Sequence, residues 1–227
     1  MNDIMKKIVA ADYRSENHPE NCMKVERYMV GPLMTNCYLV ICEASGASVL
    51  VDPGGFSNEL KNALAGTNLT AVVLTHGHFD HIGGLTTLLR NIDVPVLIHP
   101  SDTPMLKDPF LNGSFMIGTE IIINVETSAL AHGDSVKFGD SALTVVYSPG
   151  HSEGSVSLIS EGKFVISGDT LFRLSIGRWD LPGGNYDCLM ESINTIYRPL
   201  PDSMTLYPGH GEPSTLGYEK RYNQFLE

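Results

Sequence analysis

Basic residues are scarce in this chain: 15 Lys and Arg stand against 26 Asp and Glu among 227 residues, a formal net charge of −11. Nucleic-acid binding draws its affinity from clustered basic side chains, so this balance argues against a polyanionic partner. Cysteine is sparse as well. Cys22, Cys37, Cys42 and Cys188 show no metal or disulfide spacing, and Cys37 and Cys42 fall in what reads as a single strand, where they cannot easily bridge. Reduced cysteines in a cytoplasmic protein are the expectation. A membrane span needs about 20 consecutive apolar residues, and none exists. The patch Ile8-Val9-Ala10-Ala11 is too short for a secretory segment and is soon interrupted by Asp12, Arg14 and Glu16. Neither export nor a membrane partner is expected.

What the chain does have is histidine in one place. Thr75-His76-Gly77-His78-Phe79-Asp80-His81-Ile82-Gly83-Gly84 packs three imidazoles and a carboxylate into six positions. Ala71-Val72-Val73-Leu74 before it is short, apolar and β-branched, which predicts a buried strand that delivers a loop to a sheet edge. The glycines let backbone crowd close to a ligand. Imidazole and carboxylate are the donors zinc and its neighbours prefer, and adjacent Asp80 and His81 do not easily reach the ion that His76 and His78 would hold. The spacing points to two metals.

Two ions need further ligands, and the chain repeats one arrangement. His151 follows the strand-like Ala142–Tyr147 through Ser148-Pro149-Gly150, and His210 follows Met204-Thr205-Leu206 through Tyr207-Pro208-Gly209. Asp169 likewise ends Val165-Ile166-Ser167-Gly168. No serine or cysteine is paired with a base in a recognisable motif, which disfavours covalent catalysis.

From about Met23 onward this set resembles the metallo-β-lactamase superfamily and, within it, the short glyoxalase II-like hydrolases. The resemblance implies an α/β fold, a four-layer αββα sandwich of two mixed sheets flanked by helices. It implies His76, His78 and His151 on a first metal, Asp80, His81 and His210 on a second, and Asp169 bridging them. The cofactors implied are two divalent ions, zinc first, with iron or manganese as substitutes. The reaction implied is hydrolysis of a small-molecule thioester such as S-lactoylglutathione by a metal-bridging hydroxide, with Asp80 as the catalytic carboxylate. A thiolate, from a thiol of pKa about 8.5, leaves without a general acid, whereas an amide would need one.

Ile176-Gly177-Arg178-Trp179-Asp180-Leu181-Pro182-Gly183-Gly184 also resembles the glyoxalase II-like branch, and Arg178 and Trp179 are its candidate substrate contacts. A guanidinium suits a substrate carboxylate, and pairing of Arg178 with Asp180 is the plainer alternative. Two positions depart from the pattern: Trp179 stands where threonine is common and Glu153 where proline often follows the metal histidine. The longer enzymes also carry a C-terminal helical domain with thiol contacts, and 17 residues follow His210 here. The thiol is therefore open. Alternative activities on the same fold are a mononuclear-iron persulfide dioxygenase, a lactone or β-lactam hydrolase, and an inactive metal-binding module.

Residues 23–227 are expected to form one domain. Residues 1–22, which include His18, read as a dispensable extension, with a start codon placed 22 residues early as the favoured cause. Strands are predicted at Val25–Val30, Cys37–Ile41, Val49–Val51, Val94–Ile98, Ala142–Tyr147, Val156–Ile159 and Phe164–Ser167. Helices are predicted near Asn58–Ala65 with Ser57 as N-cap, around Leu85–Leu89, on the stripe Leu189, Ile193, Ile196 and Tyr197, and at Leu216–Phe225. Residues 101–132 show no periodicity and read as either a lid or padding. His99 reads as a strand-end residue and His132 as a turn residue.

Overall fold

The computed structural model describes residues 23–90 and 92–226, so the expected 1–22 extension lies outside the described residues. The described chain forms two compact units. One comprises the residues up to Leu130 together with Lys137–Ala142, and the other Ala131–Val136 and the residues from Leu143 onward.

The first unit is built round a six-stranded sheet of order β1-β2-β3-β4-β5-β6, formed by Met23–Val30, Thr35–Cys42, Ala47–Val51, Asn68–Val73, Val96–Ile98 and Thr127–Ala129. β1, β2 and β3 pair antiparallel, and β3 through β6 run parallel. All five residues of β3 are buried, as expected of a strand covered on both faces. Parallel strands need crossovers, and helix α1 (Asn58–Ala65) supplies the one between β3 and β4. Ser57 Oγ accepts the Leu60 N–H and caps it, while Leu60 and Leu64 point into a core shared with Leu39, Leu50, Val72 and Leu88. The short helices α2 (Phe79–Ile82) and α3 (Leu85–Leu89) follow β4.

Residues 101–132, the stretch without periodicity, carry short regular elements. Pro100–Leu106 and Ser114–Ile117 are 3₁₀ turns, and β6 pairs with β5. Three residues drawn from Thr, Ser and Ala carry no apolar alternation, so β6 exists through its neighbour rather than its own sequence. Buried Asn112 pins the segment, donating to Met105 O and Ile121 O and accepting from Ser114 N. Leu106 and Ile123 enter the core.

The second sheet has the order β14-β13-β10-β9-β8-β7. Its strands are Ser135–Phe138 (β7), Ser141–Tyr147 (β8), Val156–Ser160 (β9), Phe164–Gly168 (β10), Thr205–Pro208 (β13) and Ser214–Thr215 (β14). β9 runs antiparallel to both β8 and β10, while β10 and β13 are parallel. The C-terminal ends of β8, β10 and β13 therefore lie at one end of the sheet. A small ribbon of β11 (Leu171–Phe172) and β12 (Ser175–Ile176) follows β10.

Helix α4 (Tyr186–Ser192) continues as a wider π turn through Ile193–Tyr197. Leu189, Ile193, Ile196 and Tyr197 bury the expected stripe against Val165, Leu206 and Leu216. Helix α5 (Leu216–Tyr222) stops before Phe225. Asn223 leaves the helical region, and its side-chain amide donates to Phe172 O and Ser175 O.

Candidate metal centre

In open α/β sheets, ligands gather outside the carboxyl ends of the strands. Here β3 and β4 are parallel neighbours with Val51 opposite Val73, so Asp52 and the loop Thr75–His78 leave the first sheet side by side. Asp52 organises that loop. Its Oδ1 accepts the Thr75 N–H at 2.7 Å, its Oδ2 accepts the Thr75 hydroxyl at 2.6 Å, and Oδ2 also lies 3.0 Å from His81 Nδ1. A carboxylate on Nδ1 fixes the ring and presents Nε2 as the donor atom. Asp52 sits at φ +52°, in the left-handed region, and Gly54 two residues on packs so tightly that a Cβ there would stand 1.5 Å from Asp80 O. No side chain fits at residue 54.

His76, His78, Asp80 and His81 are all buried. The His76 ring lies 4.8 Å from that of His78 and 4.1 Å from that of His81. Burying three cations so close together would be costly, and neutral imidazole is the form that can ligate a metal. Thr35 donates its hydroxyl to Asp80 Oδ2 at 2.7 Å, and the same oxygen lies 3.5 Å from His81 Nε2.

In the second unit, β10 and β13 bring Gly168 opposite Pro208, so Asp169 and His210 emerge together. His151 follows β8 at the same end. One oxygen of Asp169, Oδ2, lies 3.5 Å from His151 Nε2 and 3.5 Å from His210 Nε2. That is long for a hydrogen bond. Two donors on one tetrahedral ion, each about 2.0–2.2 Å from it, stand roughly 3.3–3.5 Å apart. His151 Nδ1 is held at 2.7 Å by the backbone carbonyl of Arg178, which turns Nε2 toward Asp169. The backbone approaches so closely that a Cβ on Gly177 would stand 1.7 Å from Asp169 O.

Hydroxyls brace this end of the sheet. Tyr197 Oη lies 2.6 Å from Ser157 Oγ, which lies 2.9 Å from Ser148 Oγ, and Thr170 donates to Ser148 Oγ at 3.3 Å. Ser148 precedes the His151 turn and Thr170 follows Asp169. Burial pushes the Tyr197 phenol well above its ordinary range.

The donor set is thus nitrogen and carboxylate oxygen, buried except for partly exposed His210, with second nitrogens anchored on His81 and His151, which fits a divalent ion of the zinc group. Each unit brings its own share of the expected ligands together: His76, His78, Asp80 and His81 in one, His151, Asp169 and His210 in the other. The sequence shows Asp52 only as the start of the turn-like Asp52-Pro53-Gly54-Gly55 after the strand Val49–Val51, because its partner lies 29 positions away.

The other candidates stand elsewhere. Arg178 forms a two-pronged pair with Asp180, at 2.7 and 2.9 Å, on an exposed surface. The guanidinium holds the Asp180 carboxyl below its ordinary range, so the plainer pairing is the one seen. Trp179 is 40% exposed and stands edge to face on Tyr186 at 4.9 Å. His99 opens the 3₁₀ turn by accepting the Ser101 N–H, and burial lowers its pKa. His132 is a turn residue that accepts the Tyr147 N–H.

The model of the metallo-β-lactamase superfamily matches residues 30–210. The chain belongs to that superfamily. Among relatives of this family, the chain is 36% identical over 208 residues to the probable metallo-hydrolase YqgX of Bacillus subtilis, covering 90% of this chain and 98% of that one. It is 32% identical over 214 residues to the hydroxyacylglutathione hydrolase GloC of Haemophilus influenzae, again covering 90% and 98%. Among solved structures, BLEG-1 B3 metallo-β-lactamase superposes with a TM-score of 0.84 at 36% identity, covering 89% of this chain and 99% of that one. The di-iron-bound form of TTHA1623 superposes with a TM-score of 0.79 at 38% identity, covering 89% and 100%. The chain has the metallo-β-lactamase fold, an α/β architecture of two mixed sheets flanked by helices, and superfamily membership makes it a metal-dependent hydrolase in class. No helix among the described residues is long and apolar enough to cross a membrane.

Proposed function

We propose that this protein is a dinuclear metal-dependent thioesterase of the glyoxalase II type. His76, His78 and His151 would hold one divalent ion, Asp80, His81 and His210 a second, and Asp169 both. The observation that carries the reading is the placement of Asp169 Oδ2 at 3.5 Å from both His151 Nε2 and His210 Nε2, since these imidazoles belong to different triads of the family pattern. A carboxylate so placed suits a bridging ligand.

Ions bound there supply Lewis acidity and lower the pKa of water from 15.7 to about 7. The protein's own residues do the rest. Asp52 and the Arg178 carbonyl fix the rings of His81 and His151, so the donor set needs little reorganisation during the reaction. Asp80, with Oδ2 held by Thr35, is oriented to receive the proton released when water adds to the thioester carbonyl. The leaving thiolate needs no acid. The relative named a hydroxyacylglutathione hydrolase supports a thioester substrate, and the di-iron relative puts iron beside zinc as a candidate metal.

The test is elemental analysis of protein purified without added metal, followed by one panel of acyl thioesters, a β-lactam, a lactone and a persulfide. Two ions per chain with selective thioester turnover is the expected result. Turnover of the β-lactam alone, or oxygen uptake on the persulfide by a single-iron protein, would replace this reading.

A further inference from the structure

The chain carries a net charge of −11, and Arg173 is a guanidinium without a counter-charge. Arg173 sits at the turn between β11 and β12, and among the described residues it makes no ion pair and no hydrogen bond. Its guanidinium stands over the face of Tyr218, 5.6 Å from the ring centroid. An aromatic face holds a guanidinium while leaving the planar fork of N–H donors unspent. Arg178 differs, since its fork is committed to Asp180.

Arg173 also lines a cavity. With Pro213, Ser214, Thr215 and Tyr218 it borders an open groove of about 350 Å³. Thr215 Oγ1 accepts the Tyr218 N–H, so its hydroxyl proton remains available to a ligand in the groove. The wall is braced from behind by buried Glu219. That carboxylate accepts the Leu174 N–H at 2.7 Å and the Asn223 amide at 3.0 Å, and it accepts the Ser214 hydroxyl as well. Leu174, at φ +58°, is a non-glycine residue in the left-handed region. The bond from Glu219 holds the Arg173-Leu174 turn in that conformation.

Two short links along the chain tie the groove to His210. Phe172, next to Arg173, stands edge to face on the His210 ring at 6.0 Å, and Pro213 follows His210 by three positions.

We propose that Arg173 and the Ser214–Tyr218 wall form the subsite for an anionic group, a carboxylate or a phosphate, on the thiol portion of the thioester. This rests on the thioesterase reading for the identity of the molecule, but not for the presence of the anion site. A small carboxylate-bearing thiol and a phosphorylated pantetheine-type thiol share the chemistry. A bidentate guanidinium grip recognises either anion.

The test uses S-methyl thioethers, which cannot be hydrolysed, of three thiols: neutral N-acetylcysteamine, a carboxylate-bearing cysteinyl dipeptide and phosphopantetheine. Equilibrium binding is measured on metal-loaded protein for wild type, Arg173→Ala, Arg173→Lys and Arg178→Ala. At least one anionic thioether should bind wild type about 10–100-fold more tightly than Arg173→Ala, with Arg173→Lys in between. The preferred anion tells the two thiol classes apart. In steady state, Arg173→Ala should lower the ratio of kcat/KM for anionic over neutral thioesters by a similar factor, through KM rather than kcat. Equal binding of the anionic thioethers by wild type and Arg173→Ala, or a loss that follows Arg178→Ala instead, overturns the proposal. Anion binding through Arg173 in a protein that hydrolyses none of the thioesters would sustain the subsite and refute the thioesterase.

Discussion

Asp52 Oδ2 lies 3.0 Å from His81 Nδ1, and both residues are buried. The carboxylate leaves one end of the first sheet while the histidine sits on the helix that follows the neighbouring strand. Their contact ties the metal loop to the β3 end, and Thr75 adds two more hydrogen bonds to the same carboxylate.

Asp52→Asn tests that role. The single amide oxygen can serve either the Thr75 N–H or the Thr75 hydroxyl and His81 Nδ1, and the NH₂ group then faces a partner that already donates. Metal affinity should fall about 10–100-fold, the usual effect of removing such a partner. Titration of apo-protein with zinc under chelator competition measures it, and unchanged affinity would reduce Asp52 to a turn residue.

Gly177→Ala should be severe. A methyl 1.7 Å from Asp169 O cannot be accommodated unless the backbone behind the proposed bridging ligand moves. We expect a loss of roughly 2–4 kcal/mol of stability or, where the chain relaxes instead, loss of metal. Chemical denaturation with and without metal separates the two, and a variant that matches wild type in both would contradict the close packing described.

Tyr197 gives a pH dependence with a definite sign. An unfolded tyrosine ionises near pH 10, and burial raises the folded value well above that. The contribution to stability is therefore fully present below about pH 10 and is lost as pH rises beyond it. Denaturation midpoints between pH 9 and 11 should fall less steeply for Tyr197→Phe than for wild type. Identical slopes would show that the phenol is not protected.

Trp179 is the only tryptophan, and its edge-to-face contact with Tyr186 leaves it 40% exposed. If its loop lines the substrate site, as the sequence pattern of Ile176–Gly184 predicts, fluorescence should change on saturation with a thioether ligand. An unaltered spectrum at saturation would place Trp179 outside the binding surface.

The candidate ligands were legible in the sequence for a physical reason. Each lies on the segment that follows a strand end, and a strand end is marked by apolar residues giving way to Gly or Pro close to the polar group. Most strands and both long apolar stripes were legible on the same periodicity. What the sequence hid depends on partners far along the chain. Asp52 reads as part of a turn until His81 is placed beside it. Arg178 invites a substrate contact by residue type, yet Asp180 two positions on engages it in the structure. Arg173 and Glu219 have no local signature, because their roles arise only where the β11–β12 turn meets helix α5. Strand β6 has no pattern of its own and forms by adding to β5.

The most direct measurement compares His151→Ala with His210→Ala, reading metal stoichiometry by elemental analysis and thioester turnover on the same preparations. The dinuclear account predicts two ions in wild type and about one in each variant. It also predicts that each loses more than about 100-fold in rate, because several kcal/mol of transition-state stabilisation go with either ion. Wild-type protein with one iron, whose His210→Ala variant keeps that iron and consumes oxygen on a persulfide while ignoring thioesters, would contradict it.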